Sequence, residues 1–391
     1  MTKAQKPMTK EALAERPHSG ECAYKAHRRL VRQNEGFVSP FWLSVFFLLL
    51  TLPLMAENLR IGIIGLDTSH AEQFTLRLND TANPNHVPGG RVVAAFPTPS
   101  ADIEESRDRV EGFTAIVRDK FGVRIASGIE DVCKNVDAIL LLTLDGRPRL
   151  EQMKQILSFG KPVFMDKPVA ASLKDAVEIY KLAESTKVPV FSASAIRWYP
   201  GVLDVANAEK ELPAGAISYG PAHILAHHPD LFFYGIHPSE SLFTVMGTGC
   251  VSVSRVTTPA ASVVTGLWQG GRVGTLHAIH EGAKAYKVVR FGKNAVTEQK
   301  SEGDYTPMLR EIIKFFQTKQ PPVSAKDTLE IYAFMEAAEE SKRRGGKSIT
   351  LREVLSKAGA PDAWLTADPK AAPAASTKPT EKKNLPQPGS E

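Results

Sequence analysis

Lys167 stands in the run GKPVFMDKP, at the end of a short apolar segment and just before a proline. A lysine held where a strand ends is stripped of water, which lowers its pKa and brings it toward the range useful for proton transfer. The plainer alternative is a surface lysine beside Asp166. About 70 residues later, GIHPSESLF places His237 at the start of a helix. Imidazole titrates near neutrality and suits general acid–base work. Glu240, three residues on, shares its helical face and is placed to orient it. Tyr234 is the nearest phenol and Asp230 the nearest carboxylate. The plainer alternative for His237 is a buried helix-start histidine bonded to a backbone carbonyl. A third group, Asp67-Thr68-Ser69-His70, follows the first strand at a helix start, where hydroxyl, imidazole and backbone donors suit an anion and a carboxylate opposes one.

These residues need elements to hold them. LRIGIIGL (59–66), RVVAAF (91–96), DAILLLT (137–143), KPVFMDKP (161–168) and VPVFSAS (188–194) read as buried strands. Helices alternate with them, beginning with one that a Ser69/Glu72 capping box opens and that runs to about Leu78. Others fall around 104–121, 150–159 and 172–185. This order predicts an α/β Rossmann-type, doubly wound parallel sheet. Ligands of such sheets lie at the carboxyl ends of the strands, where Asp67, Thr143 and Lys167 fall. From 218 onward, strands at 218–228, 249–257, 261–268, 272–280 and 285–291 predict an α+β domain with a mostly antiparallel sheet. Helices around 306–318 and 326–344 return to the fold. The expected division is 1–57 as N-terminal extension and signal segment, 58–195 as the nucleotide-type domain, 196–365 as the substrate and oligomerisation domain, and 366–391 as a disordered tail.

Several segments together resemble the glucose–fructose oxidoreductase / inositol dehydrogenase / MocA family. GKPVFMDKPVA is similar to that family's G-K-x-V-x-x-E-K-P, with Asp166 for Glu. IGIIGL resembles its opening strand, SASAIRWYP its exit from the nucleotide domain with Arg197, and GIHPSESLF its G-x-H-x-x-D helix, with Glu240 for Asp. The resemblance spans about residues 59–355. It implies hydride transfer between NAD or NADP and a hydroxyl-bearing carbon of a sugar or cyclic polyol, with Lys167 steadying the oxyanion and His237 exchanging the proton. It also implies a homo-oligomer, and it places Gly65, Asp67, Thr68, Ser69, His70, Thr143, Asp166, Lys167 and Arg197 against the cofactor. Besides Asp166 and Glu240, the chain departs from the pattern in four places, one of them His70, which stands where a third small residue lets helix and strand pack closely. Asp67 takes the position of a glycine that admits the pyrophosphate. Phe233 takes that of an aspartate four residues before the histidine. No carboxylate follows the second strand until Asp102. An ionised Asp67 aimed at phosphate would repel it by ~1 kcal/mol in water and ~4 kcal/mol at an effective dielectric near 20; turned away, it would bond backbone amides.

Two other readings stand beside this one. A non-catalytic carbohydrate-binding protein accommodates Asp67 and Phe233, with Trp198, Tyr199 and Tyr234 available to stack on a sugar. A metal-dependent hydrolase would draw on His223, His227, His228, His237, His277 and His280, of which His223 and His227 would share a strand face. It requires three of them to converge.

Of the formal charge of +5, residues 1–36 carry +4, with eight Lys/Arg against four Asp/Glu, and 366–391 carry +1. The part between is neutral, which argues against a nucleic-acid partner. Cys22, Cys133 and Cys250 show no metal-ligand spacing. FWLSVFFLLLTLPLMA, preceded by Arg28, Arg29 and Arg32, reads as an export signal, with an uncleaved anchor as the alternative. Cleavage would leave no membrane attachment and a periplasmic or extracellular protein.

Overall fold

The computed structural model describes residues 58–366 apart from Ala226. The apolar N-terminal segment and the C-terminal tail lie outside these residues. Among the described residues no helix is long and apolar enough to cross a membrane.

The first sheet contains β1 (Leu59–Ile64), β2 (Gly90–Phe96), β3 (Arg124–Ile125), β4 (Ala138–Leu141), β5 (Val163–Met165) and β6 (Val190–Ser192). They lie in the order β3-β2-β1-β4-β5-β6, all parallel. Successive side chains of β1 enter opposite layers. Ile61 and Ile63 join one buried cluster and Ile64 the other, as the two-residue repeat of a strand requires. Both faces are covered by helices: α1 (Ser69–Asn79), α2 (Arg149–Leu157) and α3 (Leu173–Thr186) follow β1, β4 and β5.

Three local details differ from the sequence reading. The cap of α1 is Thr68, whose side chain accepts from the His70 N–H, so Ser69 is already helical and forms no capping box. β3 and a short helix at Ile129–Lys134 lie where no element was expected. A two-residue edge strand carries too little alternation to register. The region 104–121 is broken into helical pieces at Glu104–Arg107, Val110–Ala115 and Ile116–Lys120.

The second sheet holds β7 (Gly215–Pro221), β8 (Cys250–Thr257), β9 (Ala261–Trp268), β10 (Val273–Ile279), β11 (Lys287–Phe291), β12 (Val296–Glu298) and β13 (Ile349–Thr350). Their order is β12-β11-β7-β10-β9-β8-β13, antiparallel except between β7 and β10. β7 ends at Pro221, so His223 and His227 lie in the following loop, not on a strand face. Helices α4 (Ile236–Met246) and α6 (Ala325–Arg343) pack against the strands of this sheet. Helix α5 (Thr306–Thr318), assigned by sequence to the second domain, packs into the first. Its Met308, Leu309, Ile312, Ile313, Phe315 and Phe316 are buried with Ile61, Phe164 and Phe191. At ~1.5–3 kcal/mol for each large apolar side chain buried, this contact ties the two domains together.

Candidate active site

The sheet order reverses between β1 and β4. Gly65 follows β1 with φ +99°, and a Cβ there would lie 2.3 Å from the Thr143 nitrogen. Only glycine lets the two strand ends approach this closely. Thr143 is itself buried and gives its hydroxyl to Gln152.

Asp67 has turned inward. Its carboxylate is fully buried, accepts the Leu144 N–H at 3.1 Å, and accepts the Ser106 hydroxyl at 2.6 Å. It therefore bridges the ends of β1 and β4 and ties them to the segment after β2. Burial pushes its pKa up, against the bonds from Ser106 and Leu144. That segment is fastened twice more. Ser100 donates to Asp145 at 2.6 Å, and Arg147 makes a two-point ion pair with Asp102, each bond 2.7 Å. Ile103 packs with Leu144 and Phe233. Residues 97–106 thus form a strap across the carboxyl ends of β1 and β4.

Beside this strap lies a cavity of about 200 Å³, lined by Thr68, Ser69 and His70 at the start of α1, and by Lys167, Ser194, Tyr234 and His237. Arg109, Tyr199, Tyr286 and Tyr305 complete much of its wall. Lys167 stands just beyond β5. Its ammonium lies 5.1 Å from the Tyr234 ring centre and 5.9 Å from that of Phe233, with no carboxylate within 4 Å among the described residues. Burial lowers its pKa, opposed by Asp166. Asp166 does not line the cavity. It is buried behind His70, whose Nδ1 lies 2.5 Å from it. Burial alone would raise the Asp166 pKa, but His70, Lys167 and Arg149 outweigh that and hold it low.

His237 opens onto the same cavity from the first turn of α4. Its Nδ1 lies 2.7 Å from the Ser194 hydroxyl, leaving Nε2 without a protein partner among the described residues. Burial, then the charge of Lys167, hold its pKa well below the ordinary 6.5, so the ring is neutral at neutral pH. Tyr234 lies 5.7 Å from it, ring to ring, and burial raises its phenol pKa.

Glu240 does not orient His237. One helical turn separates them, but Glu240 points to Arg197 and accepts its Nε at 2.5 Å. Neither residue lines the cavity. The sequence assignments of Glu240 as catalytic and of Arg197 as facing a cofactor are thereby corrected: the half-buried Arg197 and the buried Glu240 are each other's counter-ion. Ser194, Tyr286, Tyr305 and Arg109 went unnoticed in the sequence. Tyr286 and Tyr305 sit in polar, glycine-containing loops, where a bulky aromatic is itself a sign of a ligand wall. No comparable signal marks Ser194 or Arg109. The histidines do not gather: among the described residues no three His, Cys, Asp or Glu side chains are placed to hold a metal ion.

The sequence matches the model of the oxidoreductase family with an NAD-binding Rossmann fold, GFO/IDH/MocA, over residues 59–194. No curated protein matches it. Solved structures share the whole two-domain fold. One is the myo-inositol dehydrogenase of Lactobacillus casei in complex with NAD(H) and myo-inositol, 15% identical with a TM-score of 0.60, covering 75% of this chain and 96% of that one. Another is the myo-inositol 2-dehydrogenase of Lactobacillus plantarum, at 17% and 0.62, covering 75% and 99%. A third is the apo scyllo-inositol dehydrogenase of Lactobacillus casei, at 12% and 0.63, covering 76% and 99%. At these identities the likeness speaks for the fold. The strand order, the Gly65 turn and the lysine beyond β5 agree with this match, which likens residues 59–194 to the NAD-binding Rossmann domain of the GFO/IDH/MocA oxidoreductases.

Proposed function

We propose that the chain transfers hydride between NAD(P) and a CH–OH carbon of a sugar or cyclic polyol. One observation carries this reading. A buried ammonium with no carboxylate partner, Lys167, and a neutral imidazole, His237, open onto one small cavity that also reaches the start of α1.

The residues fit the nicotinamide end of such a cofactor. Thr68, Ser69 and His70 present polar groups beside the positive end of α1, next to Lys167. The pyrophosphate end fits only with the strap displaced, because Asp67 and residues 97–106 fill the crevice between β1 and β4. When bound, the nicotinamide accepts or returns the hydride.

The chain's own groups do the rest. Lys167 donates to the substrate hydroxyl and steadies negative charge as the hydroxyl proton leaves. A buried cation without a counter-ion is poorly solvated, so it gains most where charge develops. With the Nδ1 proton directed to Ser194, the Nε2 lone pair of His237 takes the hydroxyl proton. The tyrosines close the wall against water. The inositol dehydrogenases that share the fold act on cyclic polyols, and the cavity is small beside the roughly 300–1,000 Å³ of sites for drug-sized ligands. A ligand of monosaccharide size suits it.

The pH profile tests the assignment. His237 keeps its base form as pH falls through 6.5, so kcat/KM for alcohol oxidation is expected to lose activity only well below that value. Lys167 loses its charge as pH rises through a value under 10.5, which sets the alkaline limb. An acid limb centred at or above 6.5 would count against His237 as the base.

We also propose that the outer face of the second sheet joins copies of this chain. Leu267 pairs across strands with Val273, Phe291 with Val296, and all four are exposed in one row. Exposed apolar area of this kind marks association sites. A Leu267→Lys/Val273→Lys double variant is expected to sediment as a smaller species than the parent chain; identical sedimentation of the two would refute the surface. Export remains part of this proposal, and secretion of the full chain by its native host, with loss of the first 56 residues, is the result expected.

A further inference from the structure

Hydride transfer from an alcohol needs one cation at the nascent oxyanion, and Lys167 supplies it. The cavity has a second. Arg109, three residues beyond the strap, lines the same wall. Its Nε donates to the Glu105 carbonyl and its Nη2 to the Glu105 carboxylate at 3.1 Å, while Nη1 has no acceptor among the described residues. No aspartate or glutamate lines the cavity. Asp166 is paired with His70 at 2.5 Å and Glu105 with Arg109 at 3.1 Å, and neither lines the cavity. His223, whose ring lies tilted against that of Tyr234 at 3.8 Å between centres, has its pKa lowered by burial and adds no anion.

A neutral polyol gives the second cation nothing to do. Glu105 compensates Arg109 only through Nη2, so the two cations still repel across a cavity that no carboxylate lines, and a bound anion relieves that repulsion. Guanidinium is suited to carboxylate and phosphate by its planar fork of donors. We propose that the substrate carries an anionic group, the carboxylate of a sugar acid or a phosphate, which Arg109 binds while Lys167 holds the reacting hydroxyl. The part given to Lys167 rests on the hydride-transfer reading. The part given to Arg109 does not, and it makes this residue, three positions beyond the strap, a determinant of substrate choice.

The test is equilibrium binding to the full chain by calorimetry at low ionic strength, with D-glucuronate, D-glucose 6-phosphate and D-glucose as probes. At least one of the two anions is expected to bind about tenfold tighter than glucose, the scale of a charge-assisted hydrogen bond at a half-exposed site. Which anion leads tells carboxylate from phosphate. Arg109→Gln is expected to erase the preference, and Arg109→Lys, which keeps the charge, to retain part of it. No preference for either anion over glucose overturns the proposal, as does a preference that survives in Arg109→Gln. A loss in Arg109→Lys as complete as in Arg109→Gln also overturns it, since charge would not be the cause. NAD(P)-dependent turnover is measured separately. Its absence alongside an intact anion preference would sink hydride transfer and leave the role of Arg109 standing.

Discussion

Replacing Lys167 by Met is expected to lower kcat by about 100- to 1,000-fold, the range found when one preorganised donor to a developing oxyanion is removed. Substrate affinity should change far less, because the ammonium matters most when the hydroxyl becomes an alkoxide. The same change should not lower thermal stability. In the folded chain the ammonium is desolvated, has no carboxylate within 4 Å, and rests against the rings of Tyr234 and Phe233. Met keeps the length of the side chain and removes the uncompensated charge. Loss of turnover with an unchanged or raised melting temperature would separate a chemical role from a structural one. Turnover within tenfold of the parent would remove Lys167 from the reaction.

Asp67→Ser is expected to bind NADH about 10- to 100-fold tighter than the parent chain, read by fluorescence titration at neutral pH. Two effects combine. The substitution removes a carboxylate from the crevice that the pyrophosphate must enter, worth at most ~4 kcal/mol, the figure for charges about 4 Å apart, and less with the carboxylate turned inward, at ~1.4 kcal/mol per factor of ten. It also cuts the tie from Ser106 that holds the strap down. Ser106→Ala cuts the tie but leaves the charge, so a smaller gain is expected from it. Because burial raises the Asp67 pKa above its ordinary 3.8, the parent chain should bind NADH better as pH falls toward that raised value, and Asp67→Ser should lack this part of the pH dependence. Equal or weaker binding by Asp67→Ser would mean that the cofactor avoids this crevice or that the strap helps to hold it.

The departures in the nucleotide loop acquire a physical account in this arrangement. Asp67 does not point outward to meet a phosphate. It serves as the anion that the strand ends and the strap are built around, accepting one backbone N–H and one hydroxyl. Phe233, where an acid would be expected from the family pattern, packs with Ile103 of the strap and forms part of the apolar wall beside Lys167. Both departures belong to one feature, the closed strap.

The sequence by itself determined the order of the main elements, the parallel first sheet and the mostly antiparallel second one, and the place of Lys167 beyond β5. These follow from short-range regularities. Runs such as IGIIGL and AILLL mark strands buried on both faces, and strand–helix alternation leaves a parallel sheet as the way to bury them. A family motif then located His237, and proximity to it Tyr234; both line the cavity. Tertiary structure alone decided which way the polar side chains point. Asp67 meets Ser106 across 39 residues and Leu144 across 77, His70 meets Asp166 across 96, and His237 meets Ser194 across 43. At the level of local pattern, Glu240 belonged with His237 one turn away, yet Arg197, 43 residues upstream, claims it. A buried charge takes whichever partner the packing of distant elements brings within bonding distance, since leaving it unpaired costs more than any local preference supplies. Local pattern carries no record of that choice, and so the scaffold was legible in the sequence while the strap, the Arg197–Glu240 pair and the place of Arg109 in the cavity wall were not.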